Sequence, residues 1–479
     1  MIFKEYAQHD GLGLADLVRR REVSPEDLVD SAIDAIERLN PTINCVVQIL
    51  HDRAKAEIKN GLAFGPFRGV PFLVKEFGMH FSGMVASAGS RLAQGYHHEH
   101  DTVMMERCRK AGLVAVGTST LPEMAFNASS EALLYGPTRN PWNTDYSAGG
   151  SSGGAGAAVG CGMVPLAHAN DGAGSIRNPA AVNGLVGMKV SRGRVPGGPD
   201  FGMLLWGLGV EFFETRTVRD SAALLDAVAG PDDGYFYTAP PPRHGFLASA
   251  MTTPGRLRIG VVDALPGTRA NSPEIADRLS DTCRLLESLG HVCEPLRLEY
   301  DAGMFNESTV RLWATTLGSV MDQFALHTGR KIGPDTTEAV TLSIYEFGRS
   351  LTAFQLDQAM SQQNLISRAV CTAMKDVDVV LTPGICRDVA KLGEFNQNAP
   401  GVDVYAWWQQ ICATYSTFTP LFNTTGQPAL MLPLWQSKAG MPLAMQFVGK
   451  AGDEETLYSL AGQLEQAAPW ASRRPRHYA

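Results

Sequence analysis

Two serines set among glycines, Ser151 and Ser175, are the hydroxyls in this chain best suited to attack a carbonyl. Both lie in residues 147–177, SAGGSSGGAGAAVGCGMVPLAHANDGAGSIR. Gly149-Gly150 precedes Ser151, Gly153-Gly154 follows Ser152, and Gly172 and Gly174 lead into Ser175. Glycine is costly inside regular structure and is tolerated where backbone must bend sharply or come close to a ligand. Here it recurs around candidate nucleophiles.

Other uses of such a stretch fit less well. A flexible linker would not switch into the helix-forming run Ala155, Ala157, Ala158 and Val159. A phosphate-binding P-loop needs Gly-Lys-Ser/Thr, and no lysine lies between Lys110 and Lys189. Gly154-x-Gly156 starts a dinucleotide fingerprint, but its third glycine position holds Val159. Gly149-Gly150-Ser151-Ser152-Gly153 spells the G-x-S-x-G nucleophile elbow. That elbow must follow a buried strand, whereas residues 140–146, NPWNTDY, are turn-rich.

The elements that must position these serines alternate between helix and strand. Ser24-Pro25-Glu26-Asp27 starts an amphipathic helix, with an N-cap and a proline in the first turn. Residues 257–262 read as a strand, and Ser272-Pro273 caps a helix running to about Leu289. Residues 378–383 and 443–448 read as further buried strands. This alternation predicts an α/β sheet covered by helices. The turn-rich stretch 230–242 resembles a domain boundary. The net charge of −8, with no basic tract, argues against nucleic acid as a ligand. Eight scattered cysteines contain no CxxC pair, and the nearest two, Cys283 and Cys293, lack metal-ligand company. That usage suits free thiols in a reducing cytoplasm and predicts no metal or cofactor. The first residues lack an apolar signal core, and no run of eighteen strongly apolar residues predicts a membrane span.

Three separated motifs together resemble the amidase signature family. They are Gly69-Val70-Pro71-Phe72-Leu73-Val74-Lys75-Glu76, Gly149-Gly150-Ser151-Ser152-Gly153-Gly154, and Asp171-Gly172-Ala173-Gly174-Ser175-Ile176-Arg177. The flanks agree: residues 136–143, GPTRNPWN, lie upstream, and 184–189, GLVGMK, downstream. Residues 423–429, NTTGQPA, and 440–443, GMPL, fit the family's closing strands. The resemblance implies one domain over 1–479, built on a large mixed β-sheet with helices on both faces. Residues 1–65 would supply N-terminal helices, 68–200 the catalytic core, and 201–479 the remaining sheet, a helical insert and pocket elements.

For chemistry, the resemblance implies a Ser-cisSer-Lys triad working through an acyl-enzyme. Ser175 would be the nucleophile, Ser151 the bridging serine after a cis peptide, and Lys75 the base. A serine hydroxyl needs an adjacent base, and a lysine serves only when neutral, which burial promotes. Lys75 ends the apolar run 70–74, so a buried strand would deliver its amine to the interior. The N–H groups of Gly172, Ala173 and Gly174 would form the oxyanion hole. Many family members carry Thr-Gly-Gly there, a departure that reshapes the floor but keeps every N–H. Asp171, Ser152 and Arg177 would support the site, the alternative for Asp171 and Arg177 being a surface ion pair. Met124, Phe126 and Asn127, in the loop after Pro122-Glu123, would line the substrate pocket. Trp313 and residues 405–408, YAWW, would close it, unless these aromatics are plain core.

Residues 170–175 and 470–475 look most like the branch holding the 6-aminohexanoate cyclic-dimer hydrolases. The expected activity is therefore hydrolysis of small or oligomeric hydrophobic amides, with aryl amides, cyclic amides and carbamates all open. The expected partner is only a small-molecule amide, for a monomer or homodimer. The alternative is the glutaminase subunit of a tRNA-dependent amidotransferase.

Overall fold

In the computed structural model, which describes residues 2–479, eleven segments hydrogen-bond into one sheet. They are β1 (Val46–Ile49), β2 (Pro71–Lys75), β3 (Val114–Ser119), β4 (Leu166–Asp171), β5 (Val186–Lys189) and β6 (Val210–Thr215). The second half adds β7 (Arg258–Val261), β8 (Val292–Pro295), β9 (Val379–Pro383), β10 (Ala429–Gln436) and β11 (Pro442–Val448). Their order is β1-β3-β2-β4-β6-β5-β10-β11-β9-β7-β8. The trios β3-β2-β4 and β9-β7-β8 run parallel and the other pairings are antiparallel.

Every residue of β2, β3, β4, β6, β9 and β11 is buried. Successive side chains on a strand point to opposite faces, so both faces at the centre of the sheet are covered. The strands read from sequence at 257–262, 378–383 and 443–448 form as β7, β9 and β11. The helix begun by Ser24 runs Pro25–Ile43, with Ser24 and Asp27 capping each other reciprocally. The helix Pro273–Ser288 also forms, but Ser272 occupies its N-cap by backbone alone and its hydroxyl bonds nothing. Residues 423–425 are not strand. They end the helix Thr419–Thr425, which Gly426 stops at a φ of 74° before Pro428, and β10 starts only at Ala429.

Parallel pairing places the carboxyl ends of three strands side by side. Lys75 ends β2 opposite Ser119 at the end of β3, and Asp171 ends the adjoining β4. In α/β sheets, ligands are held at the carboxyl ends of such strands, because the loops that leave them converge there. The helices Ala302–Thr328, Ala339–Ser350 and Ala353–Ala373 are inserted between β8 and β9, and Val404–Cys412 follows β9. All four contribute to one apolar cluster with Phe126, in which Trp313 and Trp407 take part, roofing that edge of the sheet. Among the described residues, no helix is long and apolar enough to cross a membrane.

Candidate active site

Lys75 leaves the end of β2 fully buried, with three oxygens around its amine. Nζ lies 2.8 Å from Ser151 Oγ, 2.9 Å from Ser152 Oγ and 2.6 Å from Asn170 Oδ1. Burial lowers its pKa to about 7, against the pull of Glu211, Glu214 and Asp171 toward the charged form. The orientation of Asn170 follows from its other end, because Nδ2 donates to the Phe77 carbonyl at 2.7 Å and turns Oδ1 toward the lysine. Ser152 Oγ donates to the Asn170 carbonyl at 3.3 Å.

These bonds account for every position on a neutral amine. One N–H goes to Asn170 Oδ1, an acceptor only, and the other to Ser152 Oγ, whose own proton is already committed. In that form the lone pair faces Ser151 Oγ, 2.8 Å away. The Gly150–Ser151 peptide is cis. The Ser152 N–H donates to the Ser175 carbonyl at 3.3 Å, which ties the two serine loops together.

The turn that carries Ser175 is held by Asp171. Its Oδ1 accepts the Gly174 N–H at 2.7 Å and its Oδ2 accepts the Ile176 N–H at 3.2 Å. Gly174 therefore does not have the free N–H expected of an oxyanion donor, and the candidates become Gly172, Ala173 and Ser175. Asp171 and Arg177 are not a surface pair: both side chains are wholly buried, and Nε and Nη2 reach the two carboxylate oxygens at 2.9 Å each. The other guanidinium donors reach the Thr419 carbonyl, Gln446 Oε1 and Asn423 Oδ1, so all five N–H groups are used. Burial alone would raise the Asp171 pKa, but Arg177 overrides it and holds the carboxyl well below the usual range. Asp171→Ala leaves a guanidinium buried without its counter-ion and should cost about 3–5 kcal/mol of stability. Urea unfolding of the variant measures that loss.

Ser175 sits where two apolar lobes meet. One is walled by Phe126, Ala173, Trp313, Trp407, Trp408 and Ile411. The other is walled by Phe77, Phe201, Leu204, Leu205, Trp313 and Leu317, with Ser151 and Gly172 at its base. The rings of Phe126 and Trp313 stand 5.3 Å apart. A Cβ on Gly172 would come within 2.5 Å of Leu205 Cδ1 and 2.7 Å of Trp313 Cζ2, so only glycine lets these walls close over the strand end. Trp407 Nε1 donates to the Phe126 carbonyl and Asn127 Nδ2 to the Phe395 carbonyl. These bonds fasten the insert to the loop after Glu123.

Met124, expected on the wall, is not there. It is fully buried at a left-handed φ of 52°, its N–H on the Ala88 carbonyl, while its neighbours Ala125, Phe126 and Asn127 face the lobe. Asn170 was not singled out from sequence. Its position one residue before Asp171 was the available signal, but its contact with Lys75 depends on how β4 pairs with β2.

A family model described as Amidase matches residues 27–458. A 6-aminohexanoate-cyclic-dimer hydrolase from Paenarthrobacter ureafaciens is 34% identical over 485 residues, covering 98% of this chain and 96% of the relative. The solved structure of a 6-aminohexanoate cyclic dimer hydrolase complexed with substrate superposes with a TM-score of 0.92 at 31% identity, covering 99% of this chain and 100% of that one. A bacterial aryl acylamidase of the amidase signature family, at 22% identity, shares the fold with a TM-score of 0.85 over 98% of each chain.

Proposed function

The chain belongs to the amidase signature family and is an amide-hydrolysing enzyme, and on that premise we propose that it cleaves small or oligomeric hydrophobic amides through Ser175, Ser151 and Lys75. The observation that carries this reading is a buried amine, its pKa lowered to about 7, lying 2.8 Å from Ser151, which lines the same lobe as Ser175, a serine open onto two apolar lobes.

The reaction needs one proton path. The Ser175 proton passes to Ser151 Oγ as the Ser151 proton passes to the Lys75 lone pair, and Ser175 Oγ bonds to the substrate carbonyl carbon. The carbonyl π electrons move to oxygen, where the N–H groups of Gly172, Ala173 and Ser175 receive the developing charge. Collapse breaks the C–N bond, and the amine leaves with the proton returned from Lys75 through Ser151. Water then repeats the sequence on the acyl-Ser175 ester and releases the acid. Asn170 and Ser152 position the lysine, and Asp171 and Arg177 hold the turn that carries Ser175.

The lining of the lobes supports hydrophobic substrates over glutamine. Neither lining contains a lysine or arginine to hold an α-carboxylate, and the one carboxylate at the base, Asp171, is paired to Arg177. The 34% identity to a cyclic-dimer hydrolase over nearly the whole chain points in the same direction. The purified chain alone, given p-nitroanilides, a cyclic amide dimer, an aryl carbamate and glutamine, should prefer the apolar amides. Glutamine as the best substrate would overturn this assignment in favour of an amidotransferase subunit. We place the enzyme in the cytoplasm as a monomer or homodimer, a location supported by eight unpaired cysteines.

Phe126→Ala tests the apolar wall. Losing roughly 50 Å² of buried ligand surface at about 25 cal/mol per Å² is worth about 1.3 kcal/mol, or close to tenfold in KM. KM should rise by that factor for aryl amides and hardly at all for acetamide. An equal rise for both would mean that Phe126 shapes the serine loop rather than the pocket.

A further inference from the structure

Beyond Phe77 lies a second cavity, of about 290 Å³, that the hydrolytic reaction does not use. Its lining includes His80, His98, His100 and Asp200, and it shares Phe77, Phe201 and Val320 with the lobe above Ser151. Within it, one ring nitrogen each of His80 and His100 and one carboxylate oxygen of Asp200 all lie within 4.8 Å of one another. The sequence, with these residues 20 and 100 positions apart, has no metal-binding spacing, and only the fold brings them together.

The donor atoms are arranged as ligands. His80 is 3% exposed and its Nδ1 lies 3.0 Å from the Gly78 carbonyl, an acceptor, so Nδ1 carries the proton. In the neutral ring Nε2 is then a bare lone pair. It stands 3.3 Å from Asp200 Oδ2 and makes no hydrogen bond. A lone pair buried against a carboxylate is two acceptors face to face, which a cation between them resolves. His100 Nε2 is hydrogen-bonded to the other oxygen, Oδ1, at 3.0 Å, a proton that a bound ion would replace. Ligands about 2.0 Å from a tetrahedral zinc ion stand roughly 3.3 Å apart, close to both separations. A histidine ligand whose second nitrogen is held by a backbone carbonyl is the usual arrangement around such ions.

We propose that His80, His100 and Asp200 bind a divalent transition-metal ion of the zinc class, with a fourth position open to the cavity. Two imidazoles and one carboxylate select this class over calcium or magnesium, which take oxygen ligands. The ion joins the segment bearing His80 and His100 to the one bearing Asp200. Phe201 follows Asp200 directly and walls both cavities, so occupancy fixes one face of the substrate lobe. This last consequence rests on the proposed amidase reading, whereas the metal site does not.

The test uses untagged, full-length protein stripped with a chelator and titrated with Zn²⁺, and with Co²⁺ for its visible ligand-field bands. One ion per chain is expected, with Co²⁺ spectra of nitrogen and oxygen ligation. His100→Ala and Asp200→Asn alter partly exposed side chains and should leave the fold unchanged by circular dichroism. Each should weaken binding by more than the roughly 10–100-fold typical of losing an outer partner of a ligand. Stripping the metal should raise KM for bulky amides several-fold and leave kcat for acetamide unchanged. No stoichiometric uptake, or uptake undiminished in both variants, overturns the site. Uptake lost in the variants but without effect on KM keeps the site and overturns its link to Phe201.

Discussion

Ser175→Ala should abolish turnover and acyl-enzyme formation while the protein keeps its fold. Removing one Oγ from a position at the junction of two lobes opens no large void, and no hydrogen bond that holds the turn uses that hydroxyl. Where nucleophile and base act as a unit, losing the nucleophile lowers kcat by on the order of 10⁶. Burst kinetics with a p-nitroanilide and intact-mass measurement of the trapped ester read the two losses separately. A serine-reactive phosphonate should label Ser175 in the parent enzyme and nothing in the variant. Label on Ser151 instead would revive the elbow reading. The chain before Ser151 offers that reading no strand, because residues 140–146 turn back on themselves, with the Tyr146 N–H on the Asn143 carbonyl and the Asn140 N–H on the Tyr146 carbonyl.

What could be read in the sequence was what local pattern encodes. The apolar run ending in Lys75 became a fully buried strand, and the Gly/Ala run after Ser152 became the helix Gly153–Gly160, buried throughout. Glycine-cushioned serines and a strand-end lysine are properties of short stretches. The features that were missed depend on chain segments meeting across the fold. Asn170 reaches Lys75 only because β4 lies beside β2, and Gly174 loses its N–H to a carboxylate three residues back that must also meet Arg177. Met124 and Phe126 sit two residues apart, yet a left-handed turn at Met124 and Ala125 sends one into the core and the other into the lobe. The aromatic insert was undecided between core and pocket, and it is both. Trp407 is buried under the lobe and fastened to the Phe126 carbonyl, so the same ring packs the cluster and shapes the cavity.

Lys75→Ala should reduce kcat/KM by several orders of magnitude, and Lys75→Arg should not restore it. A guanidinium keeps its proton at any working pH and has no lone pair to take one from Ser151. The pH profile distinguishes this role from simple packing. Burial lowers the lysine pKa, so the amine is protonated and inactive below about 7 and free to accept a proton above it. Acylation should therefore rise with pH through about 7 and level off on the alkaline side. Asn170→Asp puts a carboxylate 2.6 Å from the amine in place of a neutral amide oxygen. An opposite charge favours the protonated lysine, so its pKa rises and the limb should move to higher pH, with the alkaline plateau reduced far less than the rate at neutral pH. A purely structural asparagine would lower the whole profile without moving its midpoint. A fully active arginine variant, or an aspartate variant whose limb stays in place, would remove Lys75 from the proton path and leave Ser151 without the base that its geometry supplies.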